Sequence, residues 1–308
     1  MNTFTRVYRG RFAPSPSGPL HFGSLVAAVG SFLEARTRGG EWLLRMEDID
    51  APRCSKTAAD EILRTLEACG FAWDGEVVWQ SRRNDAYAAA LERLKAAGRA
   101  FPCACTRREL ADSAIAPDGA AIYPGTCRQG PPAGRPARAW RLRVGDARIG
   151  FDDAIQGRID SDLAFDAGDF ILLRGDGLFA YQLAVVVDDA AAGITHVVRG
   201  ADLLASTARQ IFLQQCLGLP VPCYAHLPVA VNAAGEKLSK QTRAPPVDAS
   251  RPGPALFAVL EFLGQRPPPE LSGASRRELW AWAMSHWRLD RVPRGPLCPA
   301  PTSGIIAP

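Results

Sequence analysis

The stretch that most constrains this chain is a loop crowded with proline, glycine and serine, "RGRFAPSPSGPLHFGSL", at residues 9–25. It lies between an apolar strand pattern and an apolar helix pattern. A plain connection needs only one glycine or proline to turn. A glycine-rich turn that enters a helix is suited to phosphate, because free N–H groups and the helix dipole face the anion. The loop therefore predicts a phosphate site, although it matches neither Walker A nor G-x-G-x-x-G.

Strand and helix patterns alternate through the first hundred residues. They predict strands at residues 7–13 and 41–46, and helices at residues 24–37, 55–70 and 81–98. The two later helices carry a serine as N-cap and a glycine near the end, namely Ser55 with Gly70 and Ser81 with Gly98. Strand, helix, strand, helix predicts an α/β fold, in which a parallel sheet is covered by helices.

The rest of the chain changes character twice. Residues 101–180 are predicted to be an inserted α+β subdomain, because cysteines, prolines and arginines are followed by the short strands "DFILLR" and "LFAYQLAVVV" around the turn "GDG". Residues 1–100 and 181–250 are then the two halves of one nucleotide-binding domain. Residues 251–308 are predicted to hold helices at 255–264 and 275–288 and a disordered proline-rich tail.

Composition restricts the function classes. A net charge of +4 is compatible with nucleic acid without indicating it. The N-terminus lacks the apolar segment of a signal peptide, and no run approaches the roughly 20 apolar residues of a membrane span. We therefore expect a cytoplasmic enzyme or binding protein with no membrane partner. A monomer is expected as well, although nothing in the composition indicates the oligomeric state. Its eight cysteines are expected to be metal ligands or free thiols rather than disulfides.

A second motif, "GEKLSKQT", places two lysines and a serine in a loop at residues 235–242. Taken alone, this motif indicates a solvated surface loop. His21 taken alone indicates a capping or packing residue. Together, "HFGS" and "KLSK" resemble the HIGH and KMSKS signatures of class I aminoacyl-tRNA synthetases. "RFAPSPSG", "RMEDID" and "YQLAVVVDD" resemble the glutamyl branch of that family, over residues 6–245. The last serine of KMSKS is Gln241 here, so the closing contacts of this loop are expected to differ.

The resemblance implies a Rossmann-like fold that activates glutamate with ATP, accompanied by Mg²⁺. It implies His21 and Lys240 as catalytic residues on the phosphates, where charge must be stabilised. Arg11 and Arg199 would bind carboxylates and Glu47 the α-amino group, although Glu47 alone could equally form a strand-end ion pair. The implied substrate-binding residues are Arg11, Phe12, Ala13, Pro14, Ser15, Gly23, Ser24, Glu47, Tyr181, Arg199, Lys237 and Ser239.

Three cysteines in the insertion have metal-ligand spacing. Cys103 and Cys105 form C-x-C, and 21 residues separate Cys105 from Cys127. Three thiolates in a loop-rich segment predict one structural zinc ion in a tetrahedral site. No histidine lies nearby, so Tyr123 is the candidate fourth ligand, a role that the resemblance to synthetase-like proteins with "C-x-C … Y-x3-C" also implies. The alternative is a set of reduced free thiols.

Five arginines and no acidic residue lie within residues 128–143, "RQGPPAGRPARAWRLR". Such a basic stretch beside the predicted zinc site could contact an RNA backbone. It could equally be a solvated loop that leads into a strand.

After Lys240 only 68 residues remain in the printed sequence. A full glutamyl-tRNA synthetase carries a large anticodon-binding domain there, and 68 residues cannot hold one. Such a chain resembles the glutamyl-queuosine tRNA(Asp) synthetases, which activate glutamate without tRNA and transfer it to queuosine in the anticodon stem-loop of tRNA(Asp). The identity of that acceptor rests on the resemblance alone. The alternatives are a shortened synthetase that charges a tRNA 3′ end and a non-catalytic zinc protein that binds RNA.

Overall fold

The computed structural model describes residues 7–111, 113–116, 119, 121–232, 235–238 and 245–300. Its first half contains β1 (Arg9–Phe12), α1 (Phe22–Thr37), β2 (Glu41–Met46), α2 (Lys56–Cys69), β3 (Val78–Trp79) and α3 (Asn84–Ala96). β1 pairs with β2, and β2 pairs with β3, in parallel in both cases. The predicted alternation of strands and helices around a parallel sheet is confirmed.

The predicted helix ends are right for α2. For α3 the glycine is right, since Gly98 follows the helix with a left-handed φ of 64°, and the serine cap is wrong. Ser55 caps the N-terminus of α2, and Gly70 follows its last residue with a left-handed φ of 85°. Ser81 does not cap α3, which begins at Asn84. The backbone N–H and the hydroxyl of Ser81 instead donate to the carboxylate of Asp48, at 2.8 and 2.7 Å. This tertiary contact takes up the hydroxyl that a local cap would need.

The middle of the chain forms two antiparallel units. It contains β4 (Ala100–Cys103), β5 (Ala139–Leu142), β6 (Arg148–Asp153), β7 (Gly157–Asp162), α4 (Leu163–Asp166) and β8 (Ile171–Leu173). β5 pairs with β4 and β8 in one small sheet. β6 and β7 form a separate hairpin.

The second half returns to parallel pairing. It contains α5 (Tyr181–Ala191), β9 (His196–Gly200), α6 (Leu204–Leu217), β10 (Cys223–Leu227) and β11 (Val229–Val231). β10 pairs in parallel with β9 and, at one position, with β6. The hairpin of β6 and β7 therefore continues the sheet of the second half, although its sequence lies in the expected insertion.

The two halves meet where β1 lies beside β9. The N–H of Thr195 donates to the carbonyl of Arg9 at 2.9 Å. The N–H of Arg9 donates back to the Thr195 hydroxyl at 2.8 Å. As a result, β1, β2, β9 and β10 end at the same edge of the molecule.

One predicted strand is a helix. The run "LFAYQLAVVV" continues from the expected turn, since Arg174 N–H donates to Leu178 O at 2.9 Å. The chain then enters α5 at Tyr181. A continuous apolar run cannot distinguish a buried strand from a buried helix by periodicity. Here the run forms a helix because α5 packs against α3 and α6.

The C-terminal segment contains α7 (Pro252–Phe262), α8 (Arg276–His286) and β12 (Leu297–Pro299). Both helices were predicted. The tail was predicted to be disordered, and for β12 this is wrong, because β12 pairs in parallel with β11. The rest of the tail, residues 301–308, lies outside the described part. Among the described residues, no helix is long and apolar enough to cross a membrane.

Candidate active site

A cleft of about 780 Å³ opens at the edge where the parallel strands end. Arg11 lies near the end of β1, Glu47 directly follows β2, and Arg199 lies near the end of β9. Parallel α/β sheets place ligand sites at this edge. The lining brings together the predicted residues Arg11, Phe12, Ala13, Pro14, Ser15, His21, Gly23, Ser24, Glu47, Tyr181, Arg199 and Lys237. Ser239 and Lys240 lie outside the described residues.

His21 stands at the N-terminus of α1, where the proline- and glycine-rich loop ends. Its Nδ1 accepts a hydrogen bond of 3.4 Å from the Ser24 N–H, so it caps the helix. A Cβ at Gly23 would lie 3.3 Å from the His21 ring and 3.4 Å from the carbonyl of Leu238. The missing side chain therefore lets the ring, the helix end and the lysine loop approach one another. The helix end presents its dipole to the cleft, as an anion site requires.

Beneath the cleft lies a buried network of charges. Asp189 accepts from Arg11 Nε at 3.2 Å and from Arg45 Nη1 at 2.6 Å. Arg45 also donates from Nη2 to Glu47 at 3.1 Å. Burial alone would raise the pKa of Asp189, but Arg11 and Arg45 outweigh it and hold this pKa below the ordinary range. Asp189 is therefore a firmly ionised partner that both arginines share.

Glu47 behaves differently from Asp189. Burial raises the pKa of Glu47 above its ordinary value, despite the opposing charges of Arg45 and Arg11. Its carboxylate pairs with Arg45, as the ion-pair alternative predicts, and it also lines the cleft, where a ligand can reach it. A positive ligand group in the cleft would stabilise the charged form of Glu47.

Arg199 has a distinct set of partners. Its Nε donates to His226 Nε2 at 3.1 Å, its Nη2 to the Thr207 hydroxyl at 2.9 Å, and its Nη1 lies 3.5 Å from the Tyr181 hydroxyl. It is buried, yet no carboxylate of the described residues forms an ion pair with it. Arg11, in contrast, is paired with Asp189. Arg199 is thus a cation whose charge a ligand carboxylate can balance.

The first lysine of the loop also has a partner in the cleft. Lys237 Nζ donates to Asp202 Oδ2 at 2.6 Å, and both residues line the cleft. Sequence reasoning missed Asp202, although a carboxylate two residues after the apolar run "THVVRG" was a usable signal. It also missed Arg45 and Asp189 as partners, although both lie in quoted motifs. His226 and Asp153 lay in no quoted motif.

The three cysteines of the small sheet converge. Their sulfur atoms lie within 4.8 Å of one another, and the Sγ atoms of Cys105 and Cys127 are 3.7 Å apart. The hydroxyl of Tyr123 lies 3.5 Å from the sulfurs of Cys103 and Cys105. Tetrahedral zinc, with Zn–S near 2.3 Å, separates its sulfur ligands by about 3.8 Å. The cluster therefore has the spacing of a zinc–thiolate site.

Arg141 and Tyr123 lower the pKa of one thiol of this cluster, Cys103. Arg141 Nε donates to the Cys103 sulfur at 3.3 Å, and its guanidinium lies 4.0 Å from the centre of the Tyr123 ring. Burial acts to raise the pKa of Cys103, but hydrogen bonds from Tyr123 and Arg141 outweigh it and lower this pKa. A thiolate is what a metal ligand must be. The Tyr123 hydroxyl also accepts the Cys127 N–H at 2.7 Å.

The arginine-rich stretch binds mainly to the protein itself. Arg141 is buried beside the cysteines, Arg128 pairs with Asp169, and Arg135 pairs with Glu109. Arg128 and Arg135 are nevertheless exposed, so contact of this stretch with an RNA backbone stays a prediction. The three side chains anchor the cysteine-rich segment to its neighbours.

The class of protein follows from these features together with comparison to known families. The class I tRNA synthetases (E and Q), catalytic domain, match residues 7–251. The fold is also similar to that of a glutamate tRNA ligase from Elizabethkingia meningosepticum, solved in complex with its amino acid. That likeness has a TM-score of 0.78 at 25% identity and covers 96% of this chain and 67% of the other. The fold and the cleft are those of a class I synthetase, which makes the protein a ligase.

Relatives that match over most of their own length identify the family within this class. A glutamyl-Q tRNA(Asp) synthetase of Aromatoleum aromaticum is 67% identical over 93% of this chain and 91% of its own length. One of Dechloromonas aromatica is 64% identical over 93% of this chain and 96% of its own length. The chain belongs to the glutamyl-Q tRNA(Asp) synthetase family within the class I synthetases.

Proposed function

We propose that this protein activates glutamate with ATP, without tRNA, and transfers the glutamyl group to the queuosine base at the first anticodon position of tRNA(Asp). The names of its relatives support the acceptor. The observation that carries the glutamate assignment is that one cleft is lined both by buried Arg199 and by Glu47, whose side chain is 10% exposed. Glutamate needs a cation for its side-chain carboxylate and an anion for its ammonium group, and these two residues supply them.

The residues around glutamate take complementary roles. Arg199 binds the side-chain carboxylate, with the hydroxyl of Tyr181 beside its Nη1. Glu47 binds the ammonium group, and Ser15 lies in the same lining. Arg11 contributes positive potential from its place against Asp189. We assign it this weaker role because its charge is already balanced.

ATP occupies the part of the cleft near the N-terminus of α1. His21, Gly23 and Ser24 face its phosphates, and the backbone of residues 12–14 lines the adjoining wall. The substrate α-carboxylate attacks the α-phosphorus, an oxygen–phosphorus bond forms, and pyrophosphate leaves with the electrons of the broken bond. Mg²⁺ accompanies the nucleotide as part of the substrate. Catalysis is then charge stabilisation, by His21 and by the loop residues Lys237, Ser239 and Lys240.

We propose one structural zinc ion bound by Cys103, Cys105 and Cys127, with Tyr123 as the fourth ligand. The sulfur spacing and the contacts of the Tyr123 hydroxyl with the sulfurs of Cys103 and Cys105 support this assignment. The zinc would hold the loop between β4 and β5 in place. Cytoplasmic location and a monomeric state stay predictions.

Glutamate-dependent exchange of pyrophosphate into ATP, run with and without tRNA, tests the activation step. We expect exchange without tRNA, and a loss of about 10²-fold in Lys240→Ala, the scale of one preorganised charge contact. The matched control is Lys56→Ala, an exposed lysine at the start of α2, which should exchange like the wild type. Exchange that requires tRNA would contradict tRNA-independent activation. Exchange that does not depend on glutamate would contradict the assignment of glutamate as the substrate.

The acceptor needs a separate test. We expect transfer to queuosine-containing tRNA(Asp) that survives removal of the 3′-terminal CCA and occurs on an isolated queuosine-bearing anticodon stem-loop. Recognition would use hydrogen bonds and stacking on an unpaired base. Transfer to tRNA(Glu) that disappears after periodate oxidation of the 3′ end would overturn the assignment. It would favour a conventional glutamate ligase, the activity named for the solved structural relative.

A further inference from the structure

A chain of buried hydrogen bonds runs from the end of β6 to the cleft. Asp153 Oδ2 lies 2.6 Å from His226 Nδ1, and His226 Nε2 lies 3.1 Å from Arg199 Nε. All three residues are buried, and the side chains of Asp153 and His226 have no exposed surface. Asp153 belongs to β6, His226 to β10 and Arg199 to β9, so the strand pairing of this sheet aligns the chain.

The carboxylate of Asp153 can adopt only one orientation. Its Oδ1 accepts from the backbone N–H groups of Ile155 at 3.0 Å, Gln156 at 2.9 Å and His226 at 3.1 Å. The other oxygen, Oδ2, is therefore the one that faces the imidazole. Because a carboxylate only accepts, His226 Nδ1 must carry the proton.

The imidazole passes this constraint on to Arg199. Burial lowers the pKa of His226 to about 4, so the ring is neutral at physiological pH. A neutral ring protonated on Nδ1 presents Nε2 as an acceptor, which matches the Nε–H of Arg199. The Thr207 hydroxyl accepts from Nη2 of the same guanidinium. With these two sides held, the Nη1 side is directed towards Tyr181 and the cleft.

We propose that Asp153 and His226 are positioning residues for Arg199, and that the tautomer set by Asp153 fixes the guanidinium to receive a substrate carboxylate. This inference rests on the proposed function of the cleft. It also explains why no carboxylate of the described residues forms an ion pair with Arg199. Its counter-charge lies two hydrogen bonds away on Asp153, which leaves the guanidinium edge available to ligand.

The sharpest test is Asp153→Asn, which preserves shape and reverses one hydrogen bond. Three N–H donors hold the oxygen of the new amide at the Oδ1 position, so its NH₂ group faces His226 Nδ1. The ring must then accept at Nδ1 and carry its proton on Nε2, which can face the Thr207 hydroxyl at 3.1 Å but no longer accepts from Arg199 Nε. We expect the KM for glutamate in pyrophosphate exchange to rise about 10-fold or more. The KM for ATP should stay within about twofold.

A second substitution distinguishes positioning from general destabilisation. The side-chain oxygen of His226→Gln can reach the place of Nε2 and accept from Arg199, and glutamine has no ring tautomer for residue 153 to set. We therefore expect the double variant D153N/H226Q to bind glutamate about as well as H226Q alone, and better than D153N. If Asp153 only stabilised the fold, the double variant would be worse than either single variant. That result, or a wild-type KM for glutamate in D153N, would overturn the proposal.

Thr207→Val gives a second measurement, since it removes the hydroxyl that accepts from Arg199 Nη2 at 2.9 Å and lies 3.1 Å from His226 Nε2, and it keeps the side-chain shape. We expect a several-fold rise in the KM for glutamate, with the KM for ATP unchanged. An unchanged KM for glutamate would count against the fixed guanidinium. Failure of the proposed function is distinguishable, because the wild-type protein would then show no glutamate-dependent exchange at all.

Discussion

Arg11 meets Asp189 through two hydrogen bonds, from Nε to Oδ1 at 3.2 Å and from Nη2 to Oδ2 at 3.3 Å. Residue 11 lies on the first strand and residue 189 on α5, so this pair joins the two halves of the α/β domain beneath the cleft. Arg45 shares the same carboxylate. A single buried charge therefore supports two arginines and, through Arg45, the position of Glu47.

Asp189→Asn should destabilise the fold strongly. The change leaves Arg11 and Arg45 buried with one negative charge fewer, and breaking a buried pair costs about 3–5 kcal/mol. Urea unfolding at pH 7 measures the loss. The control is Asp290→Asn, in an exposed pair with Arg288, which should leave the unfolding midpoint in place. Equal unfolding midpoints for the wild type and Asp189→Asn would show that other groups balance the charges of Arg11 and Arg45.

Glu47→Gln should weaken glutamate binding and spare ATP. The substitution removes the anion that faces the substrate ammonium, while the amide oxygen can still accept from Arg45 Nη2. We expect the KM for glutamate to rise about 10- to 100-fold, the scale of a lost charged hydrogen bond. The KM for ATP should change less than about twofold in pyrophosphate exchange.

The neighbouring carboxylate supplies the matched control for Glu47. Asp48 bonds to Ser81, and it is not among the residues that line the cleft. Asp48→Asn should therefore leave both KM values near those of the wild type. A rise in the KM for ATP in Glu47→Gln, with glutamate unaffected, would move Glu47 to the other substrate.

Much of the fold could be predicted because its signals are local. The alternation of strand and helix, and Ser55 and Gly70 at the ends of α2, need only neighbouring residues. The predictions that were wrong depend on distant partners. Ser81 bonds Asp48, α5 is decided by packing, and β12 pairs with a strand far along the sequence.

The same distinction applies to the site. Most of the predicted residues that line the cleft lie in quoted motifs, and the family resemblance added Arg199 to them. The residues that hold them do not follow from spacing. Asp153 and His226 lie on strands of different segments, and the pairing of β10 with β6 on one side and with β9 on the other brings them to Arg199. Sequence patterns therefore predicted the residues that line the cleft better than the residues that orient those side chains.

Stability should fall as the pH decreases from about 6.5 to about 4 because of His226. Burial lowers the pKa of His226 from 6.5 to about 4, so in this range the unfolded state binds a proton that the folded state does not. The linked loss over the range is about 3 kcal/mol. Urea unfolding free energies at pH 6.5 and 4.5 should differ clearly in the wild type and less in His226→Gln. His196, whose pKa burial also lowers, contributes in the same direction to both proteins. An equal pH dependence in both proteins would exclude His226 as the cause.

The cysteine cluster predicts a metal-dependent stability. Cys103→Ser and Cys127→Ser should each release zinc and loosen the small sheet of β4, β5 and β8, because structural zinc contributes directly to folding. Tyr123→Phe should be milder, since water can take a fourth position while three thiolates remain. Elemental analysis of protein purified without chelator should give one zinc per chain in the wild type and in Tyr123→Phe, and less in the serine variants. Cys216→Ser, a cysteine outside the cluster, is the control and should keep its zinc. Wild-type protein without zinc would refute the site, and full zinc loss in Tyr123→Phe would make the phenol an essential ligand.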